Sequence, residues 1–192
     1  MPGFFLLNKF SIKDSFISLY FKKKENKRIM TNSLFNKIKK IKLLITDVDG
    51  VLTDGGLYYT IEGLVMKRFH VKDGMAVHLL KEKGIEVAIV SGDASDIGII
   101  RGQRLGIELL YKNISDKKQT LDEICKLKNL TCNEIAYIGD DVNDIDAMKS
   151  VAISAAPGDA VNEVLELVDY RCEKKGGEGA FREFADFLIS NL

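Results

Sequence analysis

Two kinds of apolar segment alternate along the chain. "KLLITDV", "IEVAIVSG", "IELLY", "EIAYIGD" and "VAISA" are short continuous runs stopped by turn residues. Strands buried on both faces read this way. Between the runs lie helix-like stretches. "DGMAVHLLKEKG" carries Met75, Val77, Leu79 and Leu80 ahead of a Gly84 stop, and further helices are expected over Asp96–Leu105, Lys117–Leu130, Asn143–Lys149, Ala160–Leu167 and Gly179–Leu192. One segment breaks the alternation. "GLYYTIEGLVMKRF" has two β-prone arms around Glu62-Gly63, which predicts a hairpin over about 56–70. Strands alternating with helices predict an α/β fold: a doubly wound, mainly parallel sheet with one small β-hairpin added.

The polar residues fall where such a sheet places ligands, at the carboxyl ends of its strands. "LLITDVDGVLTDG" sets Asp47, Asp49 and Asp54 just after the first run. Ser91 and Gly92 follow the second, and Asp140, Asp141 and Asp144 follow the fourth. These groups are dispersed in sequence but should converge on one crevice. Asp47 and Asp49, at i and i+2, project the same way from an extended or tightly turning chain. Carboxylates so crowded need a cation or a shared proton. An all-oxygen donor set suits Mg²⁺, which keeps coordination positions for phosphate and water. Asp54 and Asp144 read equally well as turn or helix-cap residues. Ser91, with backbone N–H groups near a helix start, suits an anion. Lys117 opens a helix after a short strand; beside two acid clusters it reads as a phosphate ligand.

Charge and composition narrow the classes. Of 192 residues, 46% are hydrophobic and 29% charged, the balance of a soluble globular domain. The formal net charge is zero, but residues 1–42 hold eleven Lys or Arg against two acids, +9, which leaves the remaining 150 residues at −9. An acidic body argues against nucleic acid as partner, and it makes an anionic substrate dependent on a metal and local cations. Cys125, Cys132 and Cys172 are odd in number and lack C-x-x-C spacing, which points to reduced thiols in a cytoplasmic protein rather than disulfides or a zinc site. "FFLLNKFSIKDSFISLYF" is broken by Lys9, Lys13 and Asp14. It is too short and too charged to span a bilayer, and no secretory cleavage site follows it. Residues 1–30 are expected to be an extension, read as an amphipathic surface helix, a targeting segment, or, in preference, disorder or sequence upstream of a start at Met30. A single domain is expected over 31–192.

The order D-x-D-G-V-x-T, Ser after a strand, Lys, then GDDxxD resembles the haloacid dehalogenase superfamily of aspartyl-phosphate phosphotransferases, from about Ile41 to Leu192. That resemblance implies Asp47 as nucleophile and Asp49 as general acid/base. It implies Ser91, Gly92 and Lys117 as phosphate ligands, and Mg²⁺ held by Asp47, Asp49 and Asp140, with Asp141 and Asp144 as further candidates. "DVDGVLTDGGLYY", "KRFHVKDGMAV", "AYIGDDVND" and "KKGGEGAFREF" are similar to the 3-deoxy-D-manno-octulosonate 8-phosphate phosphatase family, which serves lipopolysaccharide precursor synthesis. By that resemblance the partners are a phosphorylated sugar acid and copies of the same chain. Members are homotetramers in which the hairpin and often the Gly-rich tail of one subunit close a neighbour's site, with Gly176, Gly177 and Gly179 lending mobility. Substrate contacts fall on Asp49, His70, Val71, Lys72, Asp73, Gly74, Arg101 and Lys117; His70 and Lys72 replace Asn and Arg of a common version.

His78 and Asp93 stand where well-studied members carry Arg. Arg grips a carboxylate bidentately and Asp repels one, so Asp93 keeps a nine-carbon ulosonate 9-phosphate (deaminoneuraminate or N-acylneuraminate) open as substrate. Asp93 could pair with Arg104 or accept sugar hydroxyls. A reading from another class is a non-catalytic regulatory or oligomerisation module of the same fold. The presence of Asp47, Asp49, Lys117 and Asp140 argues against it.

Overall fold

The computed structural model describes residues 33–192, and the reading of residues 1–30 lies outside them. Lys37–Leu192 form one compact unit. Its elements run β1 (Leu43–Thr46), β2 (Tyr58–Thr60), β3 (Gly63–Met66), α1 (Val71–Glu82), β4 (Glu86–Val90), α2 (Ile97–Arg104), β5 (Leu109–Tyr111), α3 (Lys117–Lys128), β6 (Ile135–Ile138), α4 (Ile145–Met148), β7 (Ile153–Ala156), α5 (Asn162–Leu167), β8 (Tyr170–Arg171) and α6 (Ala180–Ile189). The main sheet has the order β5-β4-β1-β6-β7-β8, and every neighbouring pair is parallel. The first strand is thus central. The chain winds outward from it to β4 and β5 on one side and to β6, β7 and β8 on the other. The switch point lies at the carboxyl end of β1, between β4 and β6, where open α/β sheets bind ligands.

The apolar runs become strands because they are covered on both faces. Leu43, Ile45, Ala88, Val90, Ile135 and Tyr137 pack with Leu121 and Ile124 of α3, Ala147 and Met148 of α4, and Val164 of α5. Each fully buried aliphatic side chain contributes about 1.5–3 kcal/mol to holding a helix on the sheet. Gly102 sets how closely α2 docks. A Cβ there would lie 2.4 Å from Leu110 Cδ2 and 2.9 Å from Ile89 Cδ1.

Three local features differ from expectation. α1 begins at Val71, because His70 is extended and its Nδ1 accepts the Lys72 amide as an N-cap. The helix expected over Asn143–Lys149 is a 3₁₀ turn, Val142–Asp144, followed by α4; Asp141 and Asp144 cap that turn reciprocally. β8 carries no pattern legible in two residues. It forms because Tyr170 and Arg171 pair with β7 and Tyr170 stacks on Phe187 at 4.3 Å.

The hairpin is present as expected, with Tyr59 opposite Leu64 and Thr60 opposite Gly63. Leu57, Tyr58, Tyr59, Ile61, Val65 and Met66 on and beside it are exposed.

Candidate active site

The floor of the site is built around one buried lysine. The Asp47 amide bonds to Ile138 O of β6 at 3.1 Å, which fixes the residue after β1 to the sheet, and Val48 O accepts the Leu52 and Thr53 amides to curl the following turn. Asp47 Oδ1 accepts the Val48 amide at 2.6 Å. Its Oδ2 pairs with Lys117 Nζ at 2.7 Å. Lys117 is the first residue of α3, whose start is set by Asp116 accepting the Gln119 amide at 2.8 Å. The same ammonium reaches Asp144 Oδ1 at 2.7 Å, which also accepts Tyr137 OH at 2.7 Å. Asp144 Oδ2 takes the amides of Asp140 and Asp141 at 3.3 and 3.4 Å. Burial pulls Lys117 down, but Asp47 and Asp144 hold it above the ordinary lysine value. Burial pushes Asp47 up to about 6 against the pull of Lys117.

Asp47, Asp140 and Asp144 each present a carboxylate oxygen within 4.8 Å of the others. Burial, then the charges of Asp47 and Asp144, push Asp140 up to about 8. Its carboxylate lies against Gly50, where a Cβ would be 1.9 Å from Oδ2 and the backbone is left-handed at φ +75°. Three carboxylates against the single ammonium of Lys117 leave an excess of negative charge. That donor set fits a hard divalent cation. Asp144 has both oxygens taken by Lys117, Tyr137 and two amides, so Asp47 and Asp140 are the acids with lone pairs to spare. Asp141 is exposed and caps its own turn through the Val142 amide at 2.7 Å.

Ser91 directly follows β4 and is buried. Its Oγ accepts the Asp93 amide at 3.2 Å, which leaves the hydroxyl proton to donate. Gly92 is exposed; a Cβ there would lie 3.5 Å from Ile114 O and 3.8 Å from Asn143 Nδ2. The loops after β4 and β6 therefore face one another.

The rim holds a second lysine. Asp49 Oδ1 accepts the Thr53 hydroxyl at 3.2 Å. Its Oδ2 meets Lys67 Nζ at 2.6 Å, and Lys67 Nζ also meets Asp93 Oδ2 at 2.6 Å. Ser95 Oγ donates to the same Asp93 carboxylate. Burial raises Asp93, but Lys67 and Ser95 bring it below the usual carboxylate value. Asp93 pairs with Lys67, and Arg104 on α2 is exposed. Lys67 opens the stretch "KRFHVKDGMAV", but nothing in that stretch names its partners. The available signal was electrostatic: Asp49 and Asp93 both belong to the crevice, and acids meeting there need a cation.

The segment from His70 to Gly74 divides. Arg101 comes to it from α2. Its guanidinium is 5.9 Å from the Phe69 ring centroid, and a Cβ at Gly74 would lie 2.8 Å from its Nη2. Val71, Lys72 and His78 are exposed. Asp73 is buried and turned to α6, where Oδ1 accepts the Arg182 amide at 2.9 Å in a first turn that Gly179 does not cap. Its Oδ2 is buried and has no partner among the described residues.

The Gly-rich tail packs tightly, contrary to the expected mobility. Gly176 and Gly177 are buried, and the Gly177 amide donates to Val51 O at 3.0 Å. A Cβ at Gly176 would lie 1.9 Å from Gly50 O, and one at Gly177 2.4 Å from the Asp54 amide nitrogen. Glycine here permits two backbones to touch. The tail lies on its own chain's 50–54 turn.

Residues 93–183 match the haloacid dehalogenase-like hydrolase family. The KdsC 3-deoxy-D-manno-octulosonate 8-phosphate phosphatase of Haemophilus influenzae is 40% identical over 153 residues, covering 80% of this chain and 85% of that one. KdsC of Escherichia coli K12 is 37% identical over 153 residues, 80% of this chain and 81% of that one. The cobalt-bound structure of the Haemophilus influenzae phosphatase aligns with a TM-score of 0.78 at 40% identity, covering 81% of this chain and 91% of that one. The Moraxella catarrhalis enzyme, in complex with magnesium, phosphate and a KDO molecule, aligns with a TM-score of 0.80 at 34% identity, covering 83% and 92%. With this similarity over four fifths of its length, the chain belongs to the 3-deoxy-D-manno-octulosonate 8-phosphate phosphatase family of haloacid dehalogenase-like hydrolases.

Proposed function

We propose that this protein is a Mg²⁺-dependent phosphatase that hydrolyses 3-deoxy-D-manno-octulosonate 8-phosphate to 3-deoxy-D-manno-octulosonate and phosphate through an aspartyl-phosphate. The observation that carries the reading is the cluster of Asp47, Asp140 and Asp144, with Lys117 paired to Asp47 and Asp144, at the sheet's switch point. Asp47, Asp140 and the Asp49 backbone carbonyl would hold Mg²⁺, which offsets charge on the transferring group.

Each chemical step then belongs to a named side chain. An Asp47 carboxylate oxygen bonds to phosphorus as the bond from phosphorus to the sugar oxygen breaks. Asp49 gives its proton to the departing alkoxide. Water next attacks phosphorus, Asp49 takes a proton from it, and the acyl-phosphate P–O bond breaks to return Asp47. The Ser91 hydroxyl, the Gly92 amide and the Lys117 ammonium hold the phosphoryl oxygens. Arg101, with His70, Val71, Lys72 and Gly74, forms the sugar-acid contact surface. Asp93 is paired with Lys67 and accepts the Ser95 hydroxyl, so it does not meet the substrate carboxylate as a bare charge. That supports the eight-carbon acid over its nine-carbon relative.

The exposed apolar hairpin supports a homotetramer in which neighbours cover it. Among the described residues no helix is long and apolar enough to cross a membrane, and the free cysteines suit a cytoplasmic enzyme.

The test is kcat/KM with Mg²⁺ on the eight-carbon 8-phosphate, the nine-carbon 9-phosphate and an aryl phosphate. The eight-carbon acid should lead by at least about tenfold, a difference of about 1.4 kcal/mol in transition-state binding. A lead for the nine-carbon acid would reassign the substrate. Asp47→Asn should abolish turnover on all three with the melting temperature preserved; surviving turnover would remove the covalent mechanism.

A further inference from the structure

We propose that Lys67 is a positioning residue of this reaction: it fixes the Asp49 carboxylate through Oδ2, with Asp93 as its second anchor. The inference rests on Asp49 being the acid/base of the proposed function.

The Lys67 side chain is 0% exposed, while the Asp49 and Asp93 side chains it bridges keep 33% and 30% exposure. Among the described residues this buried ammonium is held by its two carboxylates, and the two carboxylates would repel each other without it. Lys67 reaches this place from the end of the hairpin. Phe69, two residues on, pairs with Thr53 across an antiparallel bridge. Thr53 in turn donates to Asp49 Oδ1. Both Asp49 oxygens are therefore held, one from the turn and one from the hairpin. Asp93 gains a role other than gripping substrate: it stops Lys67 from swinging toward Asp49 alone or out of the site.

Positioning of a proton donor has a signature that general damage lacks. An alkoxide leaves only with a proton, whereas 4-nitrophenolate leaves without one. Misplacing a reacting group by about 1 Å costs about 10²-fold. Lys67→Met should lower kcat/KM for the sugar phosphate by about 30- to 100-fold and for 4-nitrophenyl phosphate by no more than about threefold. Asp93→Asn should lower the sugar-to-aryl ratio by about three- to tenfold in the parent protein. In the Lys67→Met background it should raise that ratio, because it then removes a like charge beside Asp49.

A ratio unchanged in Lys67→Met overturns the proposal. Should that variant fail to fold, a ratio unchanged in Asp93→Asn overturns it. Asp49→Asn separates the two levels of the argument. If Asp49→Asn itself leaves the ratio unchanged, the acid/base reading of Asp49 has failed. If Asp49→Asn collapses the ratio and Lys67→Met does not, only the role of Lys67 has failed.

Discussion

Lys117 and Lys67 each place one ammonium group between two carboxylates, and in each case one acid comes from the turn after β1. Their surroundings differ. The side chains of Lys117, Asp47 and Asp144 are 0%, 7% and 0% exposed. The acids facing Lys67 are about one third exposed. Lys117 rises from the first turn of a helix packed on the sheet; Lys67 leaves the end of a hairpin whose apolar face is open. In the sealed triad no member can withdraw without stranding a buried charge. In the half-open triad water reaches both acids, though not Lys67 itself. The floor of the site is therefore set by folding itself, whereas the rim is set by local packing and can be adjusted without unfolding.

The sharpest way to break that contrast is a matched pair of substitutions. Lys117→Met strands Asp47 and Asp144 and should cost about 3–5 kcal/mol of unfolding free energy. Lys67→Met leaves two acids that water reaches and should cost about 1 kcal/mol. Urea denaturation reads both, and equal losses would erase the distinction between floor and rim.

A smaller effect is expected from pH. Asp140 sits at about 8 in the folded protein against an ordinary 3.8. The folded state keeps a proton that the unfolded chain gives up, so metal-free stability falls as pH rises from about 4 to about 8. A loss of about 2 kcal/mol between pH 5 and pH 8 is expected after allowing for partial exposure. Mg²⁺ should restore it, and Asp140→Asn should remove the fall above about pH 6, leave the part due to Asp47 and Asp73 below it, and weaken the Mg²⁺ response. Thermal melts across pH with and without Mg²⁺ would show this; a profile unchanged by the substitution would mean that Asp140 carries no unusual charge.

The smallest probe is Tyr137→Phe. It removes one hydrogen bond to Asp144 while Lys117 and two amides remain, so it should cost about 1–1.5 kcal/mol with little change in kcat. A large fall in kcat would mean that the floor is less rigid than its burial indicates.

How far the site could be read from sequence follows the same division. Asp47, Ser91, Lys117 and Asp140 were legible because each follows or abuts a buried apolar run, and strand ends in a doubly wound sheet converge. Lys67 was not legible. Its partners depend on where the hairpin is aimed, and no periodicity encodes that. Asp73 illustrates a different limit. It sits in a segment that reads as substrate contact, yet its carboxylate faces the amide of Arg182, a residue far along the chain. The glycines of the tail were read as freedom, because sequence cannot distinguish a glycine that bends from one that lets another backbone touch it.

That contact has a consequence in time. The turn bearing Asp47 and Asp49 is made well before Gly176 and Gly177, which lie on Gly50–Asp54. Contacts of such sequence separation form late. A chain still on the ribosome can lay down the central strands while its acidic turn remains without its brace, so the crevice is completed only once Gly176 and Gly177 have emerged.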